Sequence, residues 1–113
     1  MATLRESKCV PCKGGVAPLA PDAIGKFASQ VPEWQVMKVN GVDRIMRQFK
    51  FKTWRDALDF VTKVGGMADE EAHHPDIYLA FGKVRVEVWT HKIKGLHEND
   101  FIIAAKTDQF YPD

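Results

Sequence analysis

Residues 34–51, WQVMKVNGVDRIMRQFKF, carry two strand-like runs on either side of Asn40-Gly41. An Asn-Gly pair in that setting is the strongest short-range sign of a two-residue β-hairpin, because both residues tolerate the positive φ that such a turn demands. A second hairpin is expected in residues 77–91, IYLAFGKVRVEVWTH, with its turn near Gly82-Lys83. There Val84, Val86 and Val88 alternate with Arg85, Glu87 and Trp89, which gives one apolar sheet face and one mixed face. If the strand runs on regularly, His91 falls on the face of Trp89.

Helical patterns surround these hairpins. In residues 20–34, APDAIGKFASQVPEW, Pro21 suits a first helical turn, Ile24, Phe27 and Ala28 repeat at helical spacing, and Pro32 stops the run. Residues 53–72, TWRDALDFVTKVGGMADEEA, open on Thr53 with Asp56 three positions later, a capping-box-like start. Trp54, Ala57, Leu58, Val61 and Val64 are expected to form the buried stripe. Gly65-Gly66 weakens this helix, which is expected to continue or restart through Asp69 to Ala72. Residues 95–110, GLHENDFIIAAKTDQF, read as a last helix with Glu98 and Asp100 in its first turn and Phe101, Ile102, Ala105 and Phe110 available for packing.

The order α-β-β-α-β-β-α predicts an α+β fold, a four-stranded antiparallel sheet with helices packed on one face. The opposite face, or an edge strand, is left for a partner chain. Residues 1–20 read as an extended or loosely packed N-terminal arm, and residues 21–113 as a single domain. A chain of 113 residues buries only about two thirds of its unfolded surface, so self-association is a natural way to cover more.

Sixteen Lys and Arg against fifteen Asp and Glu give a net charge of +1, little electrostatic footprint for nucleic acid or an anionic membrane. The stretch RIMRQFKFK, residues 44–52, interleaves cations with aromatics as a nucleic-acid surface does, but such a stretch is more often a strand with one solvated, charged face, and that is the expectation here. No apolar run approaches the roughly 20 residues of a membrane helix and the N-terminus lacks a secretory apolar core, so the expected location is cytoplasmic.

Chemistry concentrates in the C-terminal half, which holds His73, His74, His91 and His97. In residues 70–78, EEAHHPDIY, the adjacent histidines lack the spacing of a helical zinc-protease site. Three readings remain open: a helix C-terminus capped by cationic side chains and followed by Pro75, a three-histidine metal site, and a proton-transfer site. Cys9 and Cys12, in CVPC, are half a zinc knuckle, a redox dithiol or a minor feature of the arm, and no second Cys pair completes a four-thiolate site. There is no Gly-rich phosphate loop or nucleophile elbow, and Ser7 and Ser29 have no supporting context.

Asp69, then His73-His74-Pro75 after three intervening positions, Phe81, His91 and Asp100 together resemble the signature of the pterin-4a-carbinolamine dehydratase family. VPEW, FKFKTWRDALDFVTKV and GLHENDFIIAAK are also similar to family sequence, so the resemblance covers roughly residues 20 to 110. It implies an α+β subunit that assembles into a homodimer or homotetramer, and a metal-free, cofactor-free dehydratase that acts on a pterin substrate, 4a-hydroxytetrahydropterin. It further implies His73 and His91 as the principal proton-transfer groups, His74 as their assistant and Asp69 as a carboxylate that sets histidine tautomer or charge. Pro75, Trp89, Thr90 and Lys92 become substrate-binding wall positions, and Asp100 chiefly a helix N-terminal residue. Three features depart from the family pattern: Asp69 where Glu is frequent, Trp89 where a small residue is common, and the Cys9/Cys12 arm outside the core. Members of the family also serve as a dimerisation cofactor of a transcription factor. A binding module of that kind, or an accessory protein in molybdopterin or folate metabolism, is the competing expectation.

Overall fold

The computed structural model describes residues 3–10 and 17–112. Asn40 and Gly41 take φ values of 51° and 78°, the pair of left-handed residues that a type I′ turn requires. They join β1 (Gln35–Val39) to β2 (Val42–Lys50), with Val39 opposite Val42. The second hairpin joins β3 (Asp76–Ala80) to β4 (Lys83–Val88) and turns at Gly82, φ 85°. The two hairpins meet through β2 and β4, giving a four-stranded antiparallel sheet of order β1-β2-β4-β3. In that central pairing Ile45 faces Val88 and Phe49 faces Val84. These residues and Val86 are buried, and they form the sheet's side of the core.

Three helices complete the α+β fold expected from the sequence: α1 (Pro21–Ala28), α2 (Trp54–Glu71) and α3 (Glu98–Asp108). Helix α2 starts where Thr53 caps it, its side chain accepting the Asp56 N–H at 3.1 Å, and runs unbroken through Gly65-Gly66. Its buried stripe is Ala57, Phe60, Val64, Met67 and Ala68. The stripe is rotated from the expected one: Trp54 is 46% exposed, and Leu58 and Val61 are half-buried. Phe60 sets the rotation by packing into an aromatic cluster, its ring 4.7 Å from Phe49 and 5.1 Å from Phe51.

Helix α3 is buried most of the way round, with Asn99 to Ala104 all inaccessible, as expected of a helix enclosed by other elements. Phe101 stacks on Phe27 of α1, and at the C-terminal end Asp108 accepts from Trp34 Nε1 (2.9 Å) and Arg47 (2.8 Å). The first hairpin is thereby tied to the last helix.

Two expectations are corrected. Strand β4 stops at Val88 and does not carry His91. Thr90 N–H donates to Gly95 O (2.9 Å) and Gly95 N–H to Thr90 O (3.4 Å), closing a loop around a 3-10 turn (His91–Ile93) whose Ile93 is buried. Paired backbone groups and a buried apolar side chain favour this loop over a longer strand. The arm is docked over residues 3–10, not loosely packed: a 3-10 turn (Leu4–Glu6) brings Leu4 into the core.

Among the described residues no helix is long and apolar enough to cross a membrane. Gly66 is exposed in mid-helix, and a Cβ there meets nothing within 4 Å. Gly66→Ala should therefore raise the unfolding free energy by about 0.5 to 1 kcal/mol in urea titration, because alanine restricts the unfolded chain without strain in the folded one.

Candidate active site

Helix α2 ends because Ala72 adopts the left-handed conformation, φ 54° and ψ 34°. The His73 N–H then bonds back to Ala68 O at 3.2 Å, the 6→1 bond of a Schellman-type helix end. The helix thus stops at Glu71, ahead of Pro75, and His73 and His74 lie in the connection to β3 instead of capping the last turn. The left-handed residue turns the two imidazoles out of the helical path.

Their partners differ. His73 is largely buried and its Nε2 lies 2.6 Å from Oδ1 of Asp100, which is 0% exposed. The other oxygen, Oδ2, accepts from the Thr90 hydroxyl (2.8 Å) and the His97 N–H (2.9 Å). A carboxylate removed from water needs such donors, so Asp100 does more than open helix α3. His97 completes the start of that helix, its Nδ1 accepting the Asn99 N–H at 3.1 Å. His74 Nε2 lies 3.2 Å from Asp69 Oδ1, but the two side chains are 63% and 85% exposed, so water competes for that pair and it holds little.

His91 enters from the closed loop. Its ring stacks on Trp89 with centroids 3.9 Å apart, and the Arg44 guanidinium lies 4.8 Å from the Trp89 ring centroid. Arg44 is held there by Glu87 at 3.0 Å, both largely buried. The loop that carries His91 has little slack: a Cβ on Gly95 would stand 2.6 Å from Pro18 Cβ.

These pieces enclose one cavity of about 690 Å³. His73, His74, Trp89, Thr90, His91 and Lys92 all line it, whereas Asp69 and Pro75 stand outside its lining. Cys9, read from the sequence only as half of the CVPC pair, and Val10, Glu70, Glu71 and Ala72, given no role there, supply the remaining wall. Phe81 lies at the far turn, exposed, and takes no part. Cys12, the second half of the CVPC pair, lies outside the described residues. Among the described residues no group of three or more His, Cys, Asp or Glu is gathered closely enough to hold a metal ion. Three imidazoles and the Trp89 ring on its lining, with the buried Asp100 carboxylate behind His73, make a cleft suited to binding a planar ring and moving protons at its edge.

Comparison with known proteins places this cleft in context. Residues 17–110 match the family model for pterin 4 alpha carbinolamine dehydratase, a stretch that omits Cys9 and Val10. A relative from Syntrophotalea carbinolica, named provisionally as a pterin-4-alpha-carbinolamine dehydratase, is 50% identical over 109 residues, 96% of each chain. One from Rubrobacter xylanophilus, named likewise, is 47% identical over 96% of this chain and 99% of its own. The crystal structure of a transcriptional coactivator/pterin dehydratase from Brucella melitensis superposes with a TM-score of 0.76 at 29% identity, covering 84% of this chain and 99% of that one. A pterin dehydratase-like protein identified as a RuBisCO assembly factor shares the fold, with a TM-score of 0.59 at 16% identity over 69% of this chain and 88% of that one.

Two measurements follow from this geometry. Asp100→Ala removes a buried acceptor and strands the Thr90 hydroxyl and His97 N–H, so it should cost about 3 kcal/mol in chemical denaturation. Burial pushes the Cys9 thiol up to about 12, helped by the charge of Glu71 and its contact with the thiol. Iodoacetamide at pH 8 should therefore alkylate Cys9, mapped by peptide mass, at least roughly a hundredfold more slowly in the native protein than in urea.

Proposed function

The chain belongs to the pterin-4-alpha-carbinolamine dehydratase family, and from that premise we propose that it removes water from 4a-hydroxytetrahydropterin to give the quinonoid dihydropterin. The observation that carries this reading is the convergence of His73, His74 and His91, from the end of α2 and the loop after β4, on one cavity that also exposes the Trp89 ring.

The reaction breaks the C4a–O bond, with a proton delivered to the departing hydroxyl and a second proton lost from N5, so that a C4a=N5 bond forms and water leaves. No electrons leave the pterin, so one acid and one base suffice and the route needs no metal. Imidazole is suited to both roles near neutral pH. With Nε2 2.6 Å from the Asp100 carboxylate, His73 has Nδ1 as its exchanging nitrogen. His91, oriented by its stack on Trp89, is the second proton-transfer group. His74 lies at the same rim and orients the hydroxyl, with Asp69 as a weak, solvated partner. Trp89 supplies an aromatic surface, and Thr90 and Lys92 polar wall positions, for the pterin edge. Pairing with further copies, as homodimer or homotetramer, is part of the same proposal.

A second reading draws on the coactivator description of the Brucella protein: a binding module that uses subunit surfaces and has no need of a competent cleft. Stopped-flow absorbance of carbinolamine dehydration separates the two. His73→Ala and His91→Ala should each lower the turnover rate at least about 100-fold while shifting the thermal midpoint by only a few degrees. Full activity in both variants would sink the histidine mechanism, and an inactive wild-type protein would favour the binding module.

A further inference from the structure

The cavity has a wall that the proton-transfer chemistry does not use. Cys9 and Val10, from the N-terminal arm, stand beside His73, His74 and His91 in its lining. Cys9 packs against the core, but Val10 is 56% exposed, so burial of its own side chain does not hold Val10 in place. Hydrogen bonds do. The side chain of Asn99, itself 1% exposed, accepts the Val10 N–H at Oδ1 (3.0 Å) and donates from Nδ2 to Val10 O (2.7 Å). One amide thus engages both backbone groups of one residue, as a neighbouring strand would. Glu71 accepts the Cys9 N–H at 2.8 Å, and its other oxygen lies 3.6 Å from Lys106 Nζ in a largely buried pair.

We propose that Asn99 and Glu71 are positioning residues that clamp the arm at Cys9–Val10 and so make the backbone of the arm a wall of the pterin cleft. The clamp sits next to the chemistry in the chain as well as in space: Asn99 precedes Asp100, the carboxylate against His73, and Glu71 lies two residues before His73. Because the clamp reads backbone groups, the side chain at position 10 is of secondary importance and its N–H is essential. Of the two described arm residues in the lining, Val10 has no ionisable side chain, and burial pushes the Cys9 thiol up to about 12, so it stays protonated across the neutral range. It therefore acts on substrate binding, and its loss raises KM while leaving kcat in place.

This inference rests on the dehydratase reading. Val10→Pro deletes the N–H on an exposed arm residue and leaves the core untouched, whereas Asn99→Ala removes the clamp from the other side. Lys8→Ala, on the arm but outside the clamp and the cavity lining, is the control. In carbinolamine dehydration, Val10→Pro and Asn99→Ala should each raise KM about tenfold or more with kcat within twofold of wild type, and Lys8→Ala should match wild type. Should Asn99→Ala fail to fold, Val10→Pro carries the test alone. A wild-type KM in Val10→Pro overturns the inference, as does a fall in kcat with KM unchanged. An inactive wild-type protein overturns the dehydratase reading itself and the cleft-wall role with it, so the two failures are told apart by the wild type.

Discussion

The carboxylate of Asp100 is the constraint on which the site depends. It is fully removed from water at the start of α3, and each of its contacts comes from a different part of the chain: the His73 ring after α2, the Thr90 hydroxyl after β4 and the His97 N–H of its own helix. A buried carboxylate without donors is expensive, so the three segments are selected together or not at all. That shared requirement fixes the distance between the two places from which histidines reach the cavity. The exposed Asp69–His74 pair cannot do this, because water satisfies each partner as well as the other does.

Local signals explain how much of the fold was legible. Asn40-Gly41 specified its turn through backbone conformations that few residue pairs tolerate, and the Val84, Val86, Val88 alternation specified which face of β4 is buried. The rotation of α2 was not legible. Two apolar stripes overlap on that helix, and the choice between Trp54-Leu58 and Phe60-Met67 rests on an aromatic cluster assembled from β2, α2 and Tyr111 near the C-terminus. Nor was the end of β4, because nothing in the Trp89-Thr90-His91 pattern records that Gly95 folds back to pair with Thr90.

The site divides the same way. His73, His74 and His91 stood out because the sequence clusters them, and the cavity brings them together. Asn99, Glu71 and the arm backbone did not stand out, since the bonds that join them span 62 to 89 positions and involve ordinary residue types. Asp100 lay between. Its place in a first helical turn was readable, but its partnership with His73, 27 residues away, was not.

Both histidine-bearing segments owe their direction to backbone features. Ala72 accepts a left-handed conformation that costs a non-glycine residue about 1 kcal/mol, and Lys94 does the same where the His91 loop closes. Each strained residue lies within three positions of a histidine in the cavity. Side chains alone do not retain such conformations. The His73 N–H bond to Ala68 and the Thr90–Gly95 bridge hold one and the other, and Gly95 can sit against Pro18 only because it lacks a Cβ. The cavity is therefore built from chain reversals at its two sides, each closed by backbone bonds, with the buried Asp100 carboxylate between them. Its imidazoles project from turns closed by backbone bonds, and this suits groups that must meet a planar ring at defined positions.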